Sequence, residues 1–205
     1  MKTLKYIPKL FQHRRALFGI LTNYIFMRDN TETTLWGSIS DDELEALKDL
    51  VLKAAQFDGP IIEVGALFGL TTQFISSHKS PDKELITIEN FTWNPFFIPP
   101  DDHRAFIYRI LYDAHRCRNT RVFDGDSSSF YSSYEGVRPS MVFIDADHQY
   151  ESVLKDLEWA CRMKIPIISG HDYSDLWPGV KKAVNETFPS AQIRLSGSVW
   201  SVLNN

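Results

Sequence analysis

The chain has 205 residues, 43% apolar and 23% charged, with a net charge of −4. That balance is ordinary for one globular domain, contains no apolar run near the roughly 20 residues of a membrane span, and lacks the basic excess of a general nucleic-acid binder. Two cysteines make no metal or redox motif, and free thiols without a secretory signal predict a reducing, cytoplasmic setting.

Residues 1–28 carry Lys2, Lys5, Lys9, Arg14, Arg15 and Arg28 ahead of the first acid, Asp29, with Leu4, Tyr6, Phe11, Phe18, Tyr24 and Phe26 between them. This reads as a basic, aromatic-rich helical extension or lid over 1–39, packed on the domain or on a second copy of the chain. An anionic membrane surface or another partner would suit the same pattern. A helix follows over 41–56, capped by Ser40, with Glu43 completing a capping box and Leu44, Leu47, Val51 and Ala54 on one face.

From there strands and helices alternate. Apolar runs predict strands at 60–64, 84–89, 121–123, 141–144 and 165–168, with helices near 69–78, 101–117, 149–162 and 178–187. Cys117 and Cys161 fall beside apolar helical stripes and read as small buried hydrophobes. Two last strands, 191–195 and 198–203, flank the hairpin signal Ser196-Gly197-Ser198. The expected fold is α/β: a doubly wound, mostly parallel seven-stranded sheet with an antiparallel strand in the C-terminal hairpin, sandwiched between helical layers over residues 40–205.

Ligands of such sheets bind beyond the carboxyl ends of the strands, so the residues just after each strand carry the argument. The first strand leads into Glu63-Val64-Gly65-Ala66-Leu67-Phe68-Gly69-Leu70-Thr71. Its glycines permit a tight turn and close backbone approach, but a dinucleotide fold would want Gly-x-Gly-x-x-Gly, and the middle positions here are Ala66, Leu67 and Phe68. Glu89 ends the second strand, followed by Asn90, about 20 residues past Gly69, where an acid can accept hydrogen bonds from ribose hydroxyls. After the third strand, Asp124-Gly125-Asp126-Ser127 can cap a helix or meet an adenine amine. The fourth strand delivers Asp145-Ala146-Asp147-His148, two carboxylates that suit a hard cation and an imidazole that can act as a base. The fifth ends in Gly170-His171-Asp172-Tyr173, with Asp175 and Trp177 just beyond.

Taken in order, Glu63–Gly69, Phe143-Ile144-Asp145-Ala146-Asp147-His148-Gln149-Tyr150-Glu151, Gly170–Tyr173 and Pro178-Gly179-Val180-Lys181 resemble the class I S-adenosylmethionine-dependent methyltransferases. The branch is methyltransferase family 24, related to sugar and catechol-type O-methyltransferases, and the resemblance spans about residues 40–205. It implies a Rossmann-like domain in which Glu63, Gly65, Ala66, Leu67, Phe68, Gly69 and Thr71 surround the methionine part of S-adenosylmethionine. Glu89, with Asn90, would take the ribose, Asp126 or Ser127 would lie near the adenine, and Asp145 would stand at the methyl-transfer centre. By the same resemblance Asp145 and Asp172 would hold Mg²⁺. Relatives often carry a second acid or amide where this chain has Tyr173, so Asp147, His171 or Asp175 would have to complete a metal site.

Methyl transfer to a hydroxyl requires alignment and removal of a proton, so His148 or His171 is expected as the base, with a small sugar or phenol as acceptor. The aromatic connection around Trp93, Phe96 and Phe97, together with Trp177, would wall the acceptor pocket. Three other readings fit less of the pattern. These are a nicotinamide-dependent oxidoreductase, a metal-dependent hydrolase, and an inactive methyltransferase-like binding module.

Overall fold

The computed structural model describes residues 39–204. The basic N-terminal segment, with the lid, second-copy and membrane roles read from it, lies outside the described residues. Helix α1 (Asp41–Ala54) begins at the expected capping box: Ser40 N–H and hydroxyl both donate to Glu43, and Leu47, Leu50, Val51 and Ala54 turn inward.

Seven strands follow: β1 (Ile61–Val64), β2 (Leu85–Glu89), β3 (Thr120–Asp124), β4 (Met141–Ile144), β5 (Ile167–Gly170), β6 (Arg194–Ser196) and β7 (Val199–Leu203). They form one sheet in the order β3-β2-β1-β4-β5-β7-β6. Pairings from β3 to β5 are parallel, and β7 runs antiparallel to both β5 and β6. Every residue of β1, β2, β4 and β5 is buried, which is why these strands read as unbroken apolar runs. Alternate side chains serve opposite layers. Ile62, Val64, Ile88, Val142 and Ile168 pack on helices α6 (Tyr150–Arg162) and α7 (Pro178–Thr187). Ile61, Leu85, Met141, Phe143 and Ile167 pack on α1 and α2 (Leu70–His78).

Four expectations change. The predicted helix 101–117 is interrupted at Leu111, giving α3 (Pro100–Ile110) and α4 (Tyr112–Cys117). Leu111 packs on the first loop so closely that a Cβ at Gly69 would lie 3.3 Å from its side chain. The fifth strand starts two residues later than predicted. Ile165 N–H still bonds back to Ala160, and Pro166 has no N–H to give. The sixth strand is shortened by a 3₁₀ turn at Ser190–Gln192 behind Pro189. Both cysteines are exposed rather than buried. The inward face of α6 is Val153, Asp156, Leu157, Trp159 and Ala160, which leaves Cys161 on its flank. Cys117 ends α4, where only Ala114 is buried.

Candidate active site

The order of the parallel strands reverses between β1 and β4, and the candidate residues gather at the carboxyl ends of the strands on either side. Such a switch point leaves a crevice that helices cannot fill. After β1 the chain turns at Gly65 (φ +96°), where a Cβ would sit 2.3 Å from the carbonyl oxygen of Asp145. Only glycine lets the first loop run this close to the end of β4. Gly69 (φ +75°) then opens α2.

Glu89 ties the first loop to the second. One carboxylate oxygen accepts the Leu67 N–H at 2.8 Å and the other accepts the Phe91 N–H at 2.9 Å. Leu67 (φ +48°) and Phe91 (φ +58°) both adopt left-handed backbone to make these bonds, a strained state that a site must stabilise by other contacts. Ala66 and Phe68 are buried. Phe68 packs among Phe96, His103 and Phe106, so it supports the loop from behind, and His103 bonds the Leu67 carbonyl.

Glu63 is fully buried at the end of β1. Thr72 donates to one oxygen, while the other has no hydrogen-bond partner. Thr71, the residue read from sequence, is only half-buried. Burial raises the Glu63 pKa to about 8 against the pull of the Thr72 and Thr87 hydroxyls, and the charges of Asp145 and Glu89 add to the rise. Three carboxyl groups at the ends of β1, β2 and β4 therefore share one field.

Across the switch point, the fourth and fifth strand ends converge. His148 Nε2 lies 2.6 Å from Asp172 Oδ2, and its ring stacks on Trp177 with centroids 4.0 Å apart. Burial works to discharge His148, but bonded Asp172 outweighs it and raises its pKa. Asp172 adopts φ +61° and carries a carboxyl held well below the usual range. Its own burial opposes that shift, and the two histidines outweigh it. Ligand atoms of Asp145, His148 and Asp172 all lie within 4.8 Å of one another. That donor set fits a divalent cation.

His171 sits behind this cluster and is only 5% exposed. Its Nδ1 has no hydrogen-bond partner and lies 3.7 Å from Asp145 Oδ1 and 3.5 Å from Asp172 Oδ1. Its Nε2 lies 2.9 Å from the Ser198 hydroxyl, which donates to Glu43 Oε1. Burial favours the neutral ring, but Asp145 and Asp172 prevail and bring its pKa to about 10. Ser198 and Glu43 thus enclose the Nε2 side of the ring, and the two carboxylates stand against its Nδ1 side.

Other sequence candidates go elsewhere. Asp147 accepts the Gln149 N–H and the Ser152 hydroxyl at the start of α6, and Asp175 pairs with Lys181 on the surface. Neither completes the cluster; His148 does. Tyr173 bonds Asn185. Asn90 closes a turn onto Thr92. Asp126 caps helix α5 (Ser127–Ser133) through the Ser129 N–H, and the Ser127 hydroxyl turns inward to buried Asp156.

Sequence reasoning missed Glu43 as part of the site's support. Its two oxygens accept four hydrogen bonds, from the N–H and hydroxyl of Ser40 and of Ser198. The only signal was the capping box, and that accounts for one oxygen alone.

Residues 62–173 match a family described as a methyltransferase domain. None of the curated proteins matches the chain. Among solved structures, an O-methyltransferase from Bacillus cereus in complex with SAH has 17% identity and a TM-score of 0.62, covering 92% of this chain and 90% of its own. Cofactor-bound Rv0187 from MTB has 17% identity and a TM-score of 0.62, covering 93% and 90%. CalS11, a TDP-rhamnose 3′-O-methyltransferase of calicheamicin biosynthesis, has 15% identity and a TM-score of 0.62, covering 91% and 93%. At these identities the likeness is one of fold.

Proposed function

Because the chain belongs to the methyltransferase-domain family, the class I S-adenosylmethionine-dependent methyltransferases, we propose that it methylates a hydroxyl of a small acceptor, a sugar or a phenol. The observation that carries this reading is the pair of carboxylates Glu89 and Asp145 at the switch point, with the carboxyl of Glu63 buried beside them. S-adenosylmethionine supplies a sulfonium methyl group, an ammonium group and a ribose diol, and a crevice lined by carboxyl groups suits all three. A pyrophosphate would be repelled there, which counts against a nicotinamide cofactor.

Each carboxylate oxygen of Glu89 already accepts one backbone N–H and keeps a second lone pair, enough for one ribose hydroxyl each. The unpartnered oxygen of Glu63, beneath the Gly65–Gly69 loop, is the orphaned polar atom on the methionine side. Asp126 stands on the adenine side, next to Gly125, whose N–H bonds the Glu89 carbonyl.

Methyl transfer is an in-line displacement, so the residues serve mainly to align donor and acceptor. The acceptor hydroxyl must also lose its proton, which passes to solvent water, and its pKa lies far above 7. Asp145, His148 and Asp172 form the group that holds this oxygen. A divalent cation bound by the three would lower the hydroxyl pKa by its charge; Mg²⁺ is one such ion. Trp177, 40% exposed and stacked on His148, presents the aromatic face against which a sugar or phenol ring would lie. CalS11, by its description, acts on a TDP-linked sugar. That makes a nucleotide-activated deoxysugar a rational first acceptor, with a catechol as the second.

The test compares wild type with Asp145→Asn on these two acceptors, with SAH formation and SAH affinity measured separately. We expect transfer to fall by at least about 100-fold, in the range of lost transition-state stabilisation, with affinity changed by less than about tenfold. Equal transfer by the variant would place the chemistry elsewhere.

A further inference from the structure

The cluster at the ends of β4 and β5 is not made of carboxylates alone. Asp145 ends β4, His148 lies in the turn before α6, and Asp172 follows β5; the ligand atoms all lie within 4.8 Å of one another. The two carboxylates are backed by the buried Nδ1 of His171, which has no hydrogen-bond partner and lies 3.5–3.7 Å from both. The far side of that ring is fixed by Ser198 and Glu43. This is an outer layer of the kind that orients metal ligands.

Mg²⁺ is a hard ion that prefers oxygen donors and keeps much of its water. An imidazole donor shifts preference toward first-row transition ions, which bind nitrogen more strongly. We propose that His148 is a metal ligand rather than the general base, and that it makes the site select Fe²⁺, Co²⁺, Ni²⁺ or Zn²⁺ over Mg²⁺. The proposal rests on reading this cluster as the acceptor-side ion site of a methyltransferase. His148 Nε2, now 2.6 Å from Asp172, exchanges that contact for the ion, and the stacked ring of Trp177 keeps the imidazole in place.

The stack also supplies a readout independent of activity, since Co²⁺ bound at His148 quenches Trp177 fluorescence. The full chain, saturated with SAH, is titrated with Co²⁺ and separately with Mg²⁺ by calorimetry and fluorescence. Wild type, His148→Ala and His148→Gln are compared, with folding checked by circular dichroism. We expect wild type to bind Co²⁺ at least about tenfold more tightly than Mg²⁺. Both variants should lose at least about tenfold in Co²⁺ affinity and less than about threefold in Mg²⁺ affinity. In wild type, Co²⁺ should also broaden the His148 ring proton resonances, which requires no variant.

Unchanged Co²⁺ affinity in the variants, or equal losses for both ions, would overturn the proposal. So would wild type that binds SAH but neither ion, and in that case the methyltransferase reading stands. Failure to bind SAH at all would instead remove the reading beneath it.

Discussion

Glu63 shows how a single residue couples burial to ligand preference. Its pKa is raised from 4.5 to about 8, so it is protonated at neutral pH in the free protein. A carboxyl group with a raised pKa contributes stability that is complete below pH 4.5 and is lost as pH rises through about 8. Glu63→Gln keeps the shape without the titration. Its melting temperature should match wild type near pH 5 and exceed it by at least about 3 °C at pH 9, since about 1 kcal/mol shifts a domain of this size by 2–4 °C. Thermal unfolding of both proteins across that range checks it, and parallel curves would show that Glu63 does not titrate in the fold.

Glu43 is the opposite case. Burial would raise its pKa, but the backbone and hydroxyl bonds from Ser40 and Ser198 bring it down to about 2. That stability is present above 4.5 and lost as pH falls toward 2. Glu43→Ala strands two half-buried N–H donors, those of Ser40 and Ser198, so unfolding in denaturant at pH 7 should show a loss of about 2–3 kcal/mol. The deficit should shrink on acidification toward pH 2.

Among the elements, the sheet was the most legible part of the sequence. Its strands are short apolar runs bounded by Gly, Pro and charged residues, and five of the seven were placed to within one residue. The two that moved did so for local reasons: Pro166 delays β5, and the turn behind Pro189 shortens β6. The break at Leu111, whose side chain packs close to Gly69, left no sequence mark. Helix α5 also escaped, since its serines read as a turn and Phe130 is its only buried residue.

The spacing between elements is as exacting as their identity. Gly65→Ala would push a Cβ into the Asp145 carbonyl at 2.3 Å and strain a φ of +96°. It should destabilise the domain by about 2–4 kcal/mol and weaken SAH binding at least about tenfold, because β1 and β4 must separate. Denaturant unfolding together with SAH titration measures both effects.

For the whole molecule, the sequence singled out the residue clusters at the strand ends but not how they interlock. Glu89 stood out because it ends a strand at a telling distance from Gly69, and Asp145 and Asp172 because apolar strands deliver them. That His148 comes together with Asp145 and Asp172 while His171 backs the two carboxylates from behind depends on side-chain directions that a linear pattern does not encode. The same holds for Glu43, which precedes the family-matched residues 62–173 yet anchors the C-terminal hairpin. Among the described residues, no helix is long and apolar enough to cross a membrane.

Calorimetric titration with SAH tests most directly the nucleoside-sulfonium site proposed at the ends of β1 and β2. Wild type should bind one SAH per chain with a Kd of about 1–100 μM, or roughly −5.5 to −8 kcal/mol, and give no heat with NADH. Glu89→Ala, which removes the acceptors proposed for both ribose hydroxyls, should weaken SAH at least about tenfold. Absence of SAH binding by the folded wild-type protein, or equal affinity in Glu89→Ala, would contradict it.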